Sequence, residues 1–474
     1  MSRLIVVSNR VVAKNATAVG GLPVTLLSAL CMYQGVWFGW NGEICSADDP
    51  SVAIETRDRV TSATIALPER LCDQYYNGFA NSALWPLFHD LLGDFRYESA
   101  DYAAYIEVND LFALKLASLV RTGDLIWAHD YHLIPLAEKL RAHKINNPIG
   151  HFLHSPFPPF EALRALPAYA QCVSGFLAYD LLGFQTEISR QHFLVAVSTT
   201  CGSSAVIREN VVYVNGRSVR TCVLPVGIDV NTVARDANTA IKSDLVSNLM
   251  KSLQGSALIL GVDRLDYSKG LIERFNGYER FLDLFPESRG KIVLLQISPL
   301  SRGKVESYAR MRATVEQVSG RINGRFAEAD WTPIRYLNRH YPHSVLMGLM
   351  RASRVCLVTA LQDGMNLVAK EYLVAQDPDD PGVLVLSNRT GAAHELMNAL
   401  VVNPYDADGV AQALHDALSM THIERRSRHA RLLANVKQHD LRFWHDSFVD
   451  LLRGTRDRSV AHRSPESFDV RSGT

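Results

Sequence analysis

Short apolar runs alternate along the chain with longer segments that have helical periodicity. Runs rich in Val, Ile and Leu, among them residues 4–8, 149–154 and 257–262, have the length of buried strands. Between such runs lie segments like residues 22–33, in which Leu recurs at helical spacing. Strands that alternate with helices form βαβ units, so the pattern predicts an α/β fold with mainly parallel sheets.

This alternation is interrupted in a polar segment around residue 235, where few large apolar side chains occur. We therefore predict two Rossmann-like domains, residues 1–235 and 236–440, with a ligand-binding cleft between them. A last periodic segment, at about 440–452, is expected to form a helix that packs back on the first domain. Residues 453–474 are charged, Ser-rich and aperiodic, and are expected to be disordered.

Composition narrows the class of protein. The 474 residues contain 49 Lys+Arg and 49 Asp+Glu, so net charge gives no reason to expect a nucleic acid or an anionic membrane as partner. The seven cysteines are scattered and odd in number, which indicates free thiols in a reducing compartment. The N-terminus lacks the features of a signal peptide and no apolar run reaches about 18 residues. These features predict a cytoplasmic enzyme.

The segment 363–371 connects a predicted strand to a predicted helix. In an open α/β sheet, ligands bind at such strand ends. Gly364 would let a ligand approach the backbone, and the helix N-terminus suits a phosphate. The carboxylates of Asp363 and Glu371 could accept hydrogen bonds from sugar hydroxyls. Taken alone, the segment is more typical of an ordinary turn before a capped helix than of a binding site.

Two cations occupy the corresponding place after the first strand of the second domain. Arg264 and Lys269 could neutralise a diphosphate there and stabilise the charge that develops as it leaves. The alternative is a pair of surface cations balanced by Asp263 and Asp266.

Further cations and glycines follow strands in both halves. Arg10 follows the first strand and Arg302 follows a strand of the second domain, so a cleft could bring both to one phosphate. Gly20 and Gly21 precede a helix, where their backbone could approach an anion. The alternative for Arg10 and Arg302 is that each is an ordinary exposed arginine, and the alternative for Gly20 and Gly21 is a simple turn.

Polar and aromatic residues of the first domain suggest a sugar site. Asp130 and His154 end two neighbouring strands, while Tyr76 and Trp85 could line a sugar pocket or simply pack in the core. His129 and Asp130 point to opposite faces of their strand, which argues against a shared metal. Since motifs for covalent or metal catalysis are missing, we expect chemistry by positioning and electrostatics.

Together these motifs resemble trehalose-6-phosphate synthases, which are retaining glycosyltransferases with two Rossmann-like domains in the GT-B arrangement. The resemblance covers about residues 1–452. It rests on several separate segments in the family's order, namely 6–10, 20–21, 37–40, 75–77, 84–86, 129–132, 152–154, 264–270, 301–303 and 363–371.

The resemblance implies a reaction. Glucose would be transferred, with retention, from a nucleotide-glucose to glucose 6-phosphate, giving α,α-trehalose 6-phosphate and a nucleoside diphosphate. UDP-glucose is the favoured donor. This implies trehalose biosynthesis and osmoprotection, small-molecule substrates only, and no cofactor or metal; a homo-oligomer is left open. Tyr341 stands where relatives often have Phe beside the base, so the choice among UDP-, GDP- and ADP-glucose stays open.

The resemblance also implies residue roles. The expected acceptor-binding residues are Arg10, Tyr76, Asp130 and Arg302. The expected donor-binding residues are Gly20, Gly21, Arg264, Lys269, Tyr341, Asp363, Leu367, Val368, Ala369, Lys370 and Glu371. Within this set the resemblance assigns the ribose to Glu371 and the glucose to Asp363. Trp85 and His154 are expected to select the acceptor anomer. The expected catalytic residues are Arg264, Lys269, Asp363 and His154. In the family's proposed mechanism the acceptor hydroxyl attacks on the face from which the diphosphate departs, and the departing oxygen takes the proton.

Two further readings keep parts of this picture. A glucosylglycerol-phosphate synthase or a pseudo-glycosyltransferase would share the donor cleft, but Tyr76, Trp85 and Asp130 match the trehalose-type pattern. A catalytically silent sugar-phosphate-binding regulator would be expected to have lost donor residues, whereas Arg264 and Lys269 are present. Closure of the halves is a further hypothesis, with the loop 11–19 ordering as donor binds.

Overall fold

The structure is a computed structural model that describes residues 3–11, 22–33, 35–47, 50–57, 60–300 and 306–461. It contains two sheets with helices on their faces, which confirms the α/β fold. Strands such as Leu4–Arg10 are buried almost throughout because helices cover both faces of a parallel sheet.

The first half is built on a ten-stranded sheet. Its strands are β1 Leu4–Arg10, β2 Val36–Cys45, β3 Ala53–Arg57, β4 Val60–Pro68, β5 Leu125–His129, β6 Ile149–Leu153, β7 Leu181–Phe184, β8 Ala205–Arg208, β9 Val211–Val214 and β10 Arg217–Val223. Its helices are α1 Leu22–Tyr33, α2 Glu69–Leu71, α3 Trp85–Phe88, α4 Ser99–Ala117, α5 Leu136–Ala142, α6 Phe160–Leu163, α7 Tyr169–Phe176 and α8 Glu187–Cys201, with a π-helix at Cys72–Leu84.

The second half is built on a six-stranded parallel sheet. Its strands are β11 Ala257–Val262, β12 Ile292–Ile297, β13 Ile334–Leu337, β14 Val355–Val358, β15 Val383–Ser387 and β16 Leu400–Val402. The remaining helices are α9 Val230–Ala240, α10 Asp244–Ser252, α11 Leu271–Leu284, α12 Glu306–Phe326, α13 His343–Ala352, α14 Leu367–Ala375, α15 Ala407–Ser419, α16 His422–Gln438 and α17 Leu441–Ala461.

Strand order creates one switch point in each sheet. In the first sheet the order is β3-β4-β2-β1-β5-β6-β7-β10-β9-β8, so the chain reverses direction across the sheet between β1 and β5. In the second sheet the order is β13-β12-β11-β14-β15-β16, and the reversal lies between β11 and β14. Ligands bind beyond the carboxyl ends of strands at such points because the following loops diverge there and leave a crevice.

The chain crosses between the halves twice, and the two crossings touch. The first runs from β10 into α9, which packs against α13 and α14 of the second half. The second joins α16 to α17. The amide of Leu441 donates to the carbonyl of Ile228 at 3.1 Å. A Cβ on Gly227 would lie 2.2 Å from the carbonyl carbon of Asp440, so only glycine permits this approach.

Helix α17 packs against the first sheet. The Phe448 ring stacks on Trp127 with centroids 4.5 Å apart, and the Trp444 ring lies 5.0 Å from Phe152. The helix continues to Ala461, so the structure corrects the prediction of disorder from residue 453 over the segment 453–461. Residues 462–474 lie outside the described residues.

Among the described residues, no helix combines the length and the apolar character needed to cross a bilayer.

Candidate active site

A cavity of about 590 Å³ lies between the two halves, at both switch points. The loops after β1 and β5 form one wall of this cavity, and the loops after β11 and β14 form the other. Predicted site residues from both halves line it, namely Arg10, Tyr76, Trp85, Asp130, His154, Arg264, Lys269, Tyr341, Asp363, Leu367, Val368 and Glu371.

Three predicted site residues cannot be placed. Gly20, Gly21 and Arg302 lie outside the described residues, and so does the loop 12–19 that is predicted to order on donor binding. Their assignments stay predictions.

An ion pair marks the centre of the second-half wall. The ammonium of Lys269 lies 2.6 Å from Oδ2 of Asp363, and both side chains are largely buried. Burial raises the pKa of Asp363, but Lys269 outweighs that effect and holds the pKa below its ordinary value. A cation and an ionised carboxylate are therefore fixed together at the strand ends.

Arg264 is more exposed than Lys269. Half of its side chain is accessible, and its guanidinium lies 3.8 Å from Oδ2 of Asp266. It also lies over the Trp85 ring, with Cζ 6.0 Å from the centroid. Arg264 is thus directed toward the cavity and remains accessible to an anionic ligand.

Asp266 links the two halves beneath this wall, a role that the sequence did not indicate. The carboxylate is fully buried and accepts from the indole N–H of Trp85 at 3.2 Å, across the cleft. It also accepts from the Ser268 amide at 3.1 Å and from the Tyr308 hydroxyl at 3.1 Å. Asp263, the other carboxylate considered as a counterion for Arg264 and Lys269, instead binds Arg274 at 2.7 Å.

The turn after β14 is shaped by Asn366 and Gly364. Asn366 has a φ of +89°, and its side chain accepts from the Ala369 amide at 3.1 Å, so it caps α14. A Cβ on Gly364 would lie 1.9 Å from the carbonyl oxygen of His154. The close neighbour on the Cβ side of this glycine is therefore the backbone of the other half of the protein.

Only some of the predicted donor-binding residues at the start of α14 face the cavity, because successive residues of a helix point in different directions. Leu367, Val368 and Glu371 line the cavity. Ala369 and Lys370 are buried outside the lining, and the Lys370 ammonium contacts the Val226 carbonyl at 2.8 Å and Glu395 at 2.6 Å. The Lys370 side chain thus links α14 to the segment between β10 and α9, where the chain first passes from one half to the other.

On the first-half wall, aromatic rings and a strained aspartate are held by packing. The Tyr76 ring stacks on His132, with centroids 6.0 Å apart, while the Arg10 guanidinium lies 5.5 Å from the Trp40 ring. Asp130 has a φ of +70°, which is unusual for a residue with a side chain. Its carboxylate accepts from the amide and hydroxyl of Ser155, both at 3.2 Å. Burial nevertheless raises the pKa of Asp130.

His154 belongs to a chain of buried polar groups. The Val226 amide donates to Oε1 of Gln185 at 2.9 Å, so the Gln185 amide nitrogen faces Nδ1 of His154 at 3.5 Å. Nε2 of His154 in turn lies within hydrogen-bond distance of Nδ1 of His129, at 3.1 Å. Burial lowers the pKa of His154 to about 3, so this imidazole is neutral at ordinary pH.

Several polar lining residues were not singled out in the sequence, among them His89, Arg339 and His343. His89 lies four residues after Trp85, and its ring is 3.9 Å from the indole. Arg339 and His343 flank Tyr341. A helical offset from Trp85 could have revealed His89, whereas the other two lie in a polar stretch without a distinctive pattern.

Among the described residues, no group of three or more His, Cys, Asp or Glu side chains is arranged so that it could hold a metal ion.

Two Rossmann-like halves, with a wall carrying Arg264 and Lys269 facing an aromatic and polar wall across a cleft, have the architecture of GT-B glycosyltransferases. The sequence model of Glycosyltransferase family 20 matches residues 7–454, so the chain belongs to this family. The trehalose-6-phosphate synthase of Enterobacter sp. (strain 638) is 45% identical over 464 residues, covering 97% of either chain.

Solved structures agree with this assignment. A UDP-forming α,α-trehalose-phosphate synthase from Burkholderia vietnamiensis superposes with a TM-score of 0.93 at 46% identity, covering 96% of this chain and 97% of that chain. A UDP-forming α,α-trehalose-phosphate synthase from Burkholderia xenovorans, in complex with glucose-6-phosphate, superposes with a TM-score of 0.92 at 44% identity, covering 95% of this chain and 100% of that chain.

Proposed function

We propose that this chain transfers glucose from UDP-glucose to glucose 6-phosphate with retention, giving α,α-trehalose 6-phosphate and UDP. The observation that carries the proposal is the cavity itself. It combines the Lys269–Asp363 ion pair and Arg264 with Tyr76 and Asp130 on the opposite wall. The 45% identity to a trehalose-6-phosphate synthase and the likeness to UDP-forming enzymes support the choice of substrates.

Charge compensation is the main task of the second-half wall. As the bond between glucose and the diphosphate breaks, negative charge grows on the leaving oxygen. Lys269 and Arg264 stabilise that charge, and because they are already in place they require little reorganisation. Asp363, held by Lys269, is suited to accept hydrogen bonds from the hydroxyls of the transferred glucose.

Orientation of the acceptor is the task of the first-half wall. Asp130 is placed to accept from acceptor hydroxyls, while Arg10 and Tyr76 are suited to its phosphate. Neutral His154 and Trp85 shape the sugar pockets. In this scheme the acceptor hydroxyl attacks from the face that the diphosphate leaves, and its proton passes to the departing phosphate oxygen. Holding both sugars in this geometry replaces a dedicated base.

Neither a metal nor another cofactor is needed in this proposal, because two cationic side chains are available for the diphosphate. Activity should therefore be retained when a chelator is present. A loss of turnover in the chelator, restored by a divalent cation, would contradict this part. We also propose a cytoplasmic location, consistent with seven free cysteines.

One assay separates the candidate reactions. Purified protein is mixed with glucose 6-phosphate and UDP-, GDP- or ADP-glucose in turn, and both diphosphate release and the sugar product are followed. We expect UDP-glucose to be the best donor and trehalose 6-phosphate to be the product. Turnover only with glycerol phosphates or cyclitols would favour the alternative transferases. Binding of glucose 6-phosphate without turnover would favour a silent regulator.

Arg264→Ala tests the leaving-group role. Because the guanidinium acts mainly when charge develops, we expect turnover to fall about tenfold to a thousandfold, by analogy with the loss of an oxyanion donor. The variant should fold normally, since half of the side chain is exposed. Unchanged turnover would remove Arg264 from the mechanism.

A further inference from the structure

A histidine contacts the carboxylate that is expected to bind the ribose of the donor. Nε2 of His343 lies 3.0 Å from Oε1 of Glu371, and both side chains line the cavity. His343 is the first residue of α13, and Glu371 lies one turn into α14. The side chains are only 18% and 11% exposed, so the contact is shielded from solvent. Neither the expected donor-binding set nor the expected catalytic set includes this histidine.

The negative charge of the Glu371 carboxylate explains why a basic side chain is needed beside it. Glu371 is a nearly buried carboxylate beside a site for an anionic diphosphate, and such a charge is costly to bury without a cation. The groups that act on the imidazole are Glu371 on α14 and Asp236 on α9, and Asp236 itself pairs with Arg235 at 2.9 Å. Burial lowers the pKa of His343, but the hydrogen bond and charge of Glu371, helped by Asp236, raise it above 6.5 overall.

We propose that His343 is a positioning residue that fixes the Glu371 carboxylate for the ribose hydroxyls of a nucleoside diphosphate sugar. A carboxylate can accept hydrogen bonds at both oxygens, so a contact at Oε1 orients the group and leaves it able to accept from a ribose diol. The positive charge also offsets the repulsion between Glu371 and the diphosphate. This inference rests on the proposed function, because it assumes a nucleotide-sugar donor.

A pH dependence follows from this arrangement. Below its pKa His343 is cationic and holds Glu371 as an ion pair. As pH rises through that pKa, from 6.5 upward, the charge is lost and affinity for the donor should fall. The phosphodiester groups of UDP-glucose do not titrate in this range, so the change would belong to the protein.

The test compares donor binding by the wild type, His343→Gln and His340→Gln. His340 is an exposed histidine three residues earlier that does not line the cavity, so its replacement is the matched control. UDP-glucose is titrated calorimetrically into the full chain at several values between about pH 6 and pH 9. We expect His343→Gln to bind about tenfold more weakly than the wild type at the lowest pH, the size expected for a charged hydrogen bond. The difference should shrink toward the highest pH, and the control should follow the wild type.

Steady-state kinetics and a second variant separate positioning from a general loss of structure. His343→Gln should raise KM for UDP-glucose while kcat and KM for glucose 6-phosphate stay close to wild type. In a Glu371→Gln background, the same change should have little further effect, because the partner is already gone. Equal affinity of wild type and His343→Gln at every pH would overturn the inference. If the wild type itself did not bind UDP-glucose, the proposed function would fail instead.

Discussion

The two walls of the cavity differ in how they hold their polar groups. In the first half, burial keeps histidines neutral, because it lowers the pKa of the lining residue His154 and of His151 behind it to about 3. Burial also raises the pKa of Asp130. On the second-half wall, carboxylates are paired with basic side chains: Lys269 holds the pKa of Asp363 below its ordinary value, and His343 contacts Glu371.

This difference matches the two substrates. A neutral wall recognises a sugar by the direction of its hydrogen bonds and by shape, and it needs rigid packing to do so. A charged wall suits a leaving diphosphate, whose charge grows during the reaction. The first half should therefore respond to pH through its buried histidines. The second half should be sensitive to substitutions that remove one charged side chain.

The largest expected effect comes from breaking the buried pair behind the second-half wall. Arg274 on α11 is fully buried, lies 2.7 Å from Asp263 and donates to Thr359 at 3.0 Å. Arg274→Ala would leave Asp263 buried without its cation. We expect the free energy of unfolding to fall by about 3–5 kcal/mol, as for other broken buried pairs. Denaturant unfolding measures this change.

Arg280→Ala is the matched control for Arg274→Ala. Arg280 lies on the same helix and pairs with Asp408, but its side chain is largely exposed. An exposed pair contributes about 0–1 kcal/mol, so the control should be close to the wild type. Similar destabilisation in both variants would show that burial does not set the strength of these pairs.

A smaller effect is expected where the two walls meet. In Gly364→Ala the added Cβ would lie 1.9 Å from the His154 carbonyl oxygen, so the halves would have to move apart. We expect kcat/KM to fall about a hundredfold, the effect of displacing reacting groups by about 1 Å. Steady-state kinetics with both substrates measures this loss.

Gly320→Ala controls for the introduction of a side chain as such. Gly320 lies in α12, where a Cβ would meet nothing within 4 Å. Alanine favours helix there, so activity should be unchanged. If Gly364→Ala also kept full activity, the contact between the halves would not limit the reaction.

The smallest expected effect is a pH dependence of stability that originates in the first half. His151 has a pKa of about 3 when folded, against 6.5 when unfolded. Between these values the unfolded state binds more protons, so stability falls as pH falls. The contribution of His151 is about 1.4 kcal/mol per pH unit in that window. His151→Gln should therefore weaken the pH dependence of unfolding between pH 6.5 and pH 4.5.

His143→Gln is the control for His151→Gln, because His143 is an exposed histidine of the same half. Its unfolding should follow the wild type at each pH. If the stability of the wild type and of His151→Gln changed with pH in the same way, burial would not be what keeps His151 neutral in the folded protein.

Elements and their order could be read from the sequence. Apolar runs and helical spacing predicted β1, β14 and α14, because burial imposes a period on the side chains of each element. The position of Asp363, between the end of a strand and the start of a helix, followed from the same periods. The family resemblance, carried by separate motifs, indicated the reaction.

The pairing of these elements was decided by the tertiary structure. Lys269 and Asp363 are 94 residues apart in sequence, and they meet only because β11 lies beside β14 in the sheet. Periodicity reports which face of an element is buried, but not which element covers it. For the same reason, periodicity could not show that Asp266 accepts a hydrogen bond from the Trp85 indole of the other half, or that Gly364 faces the His154 carbonyl.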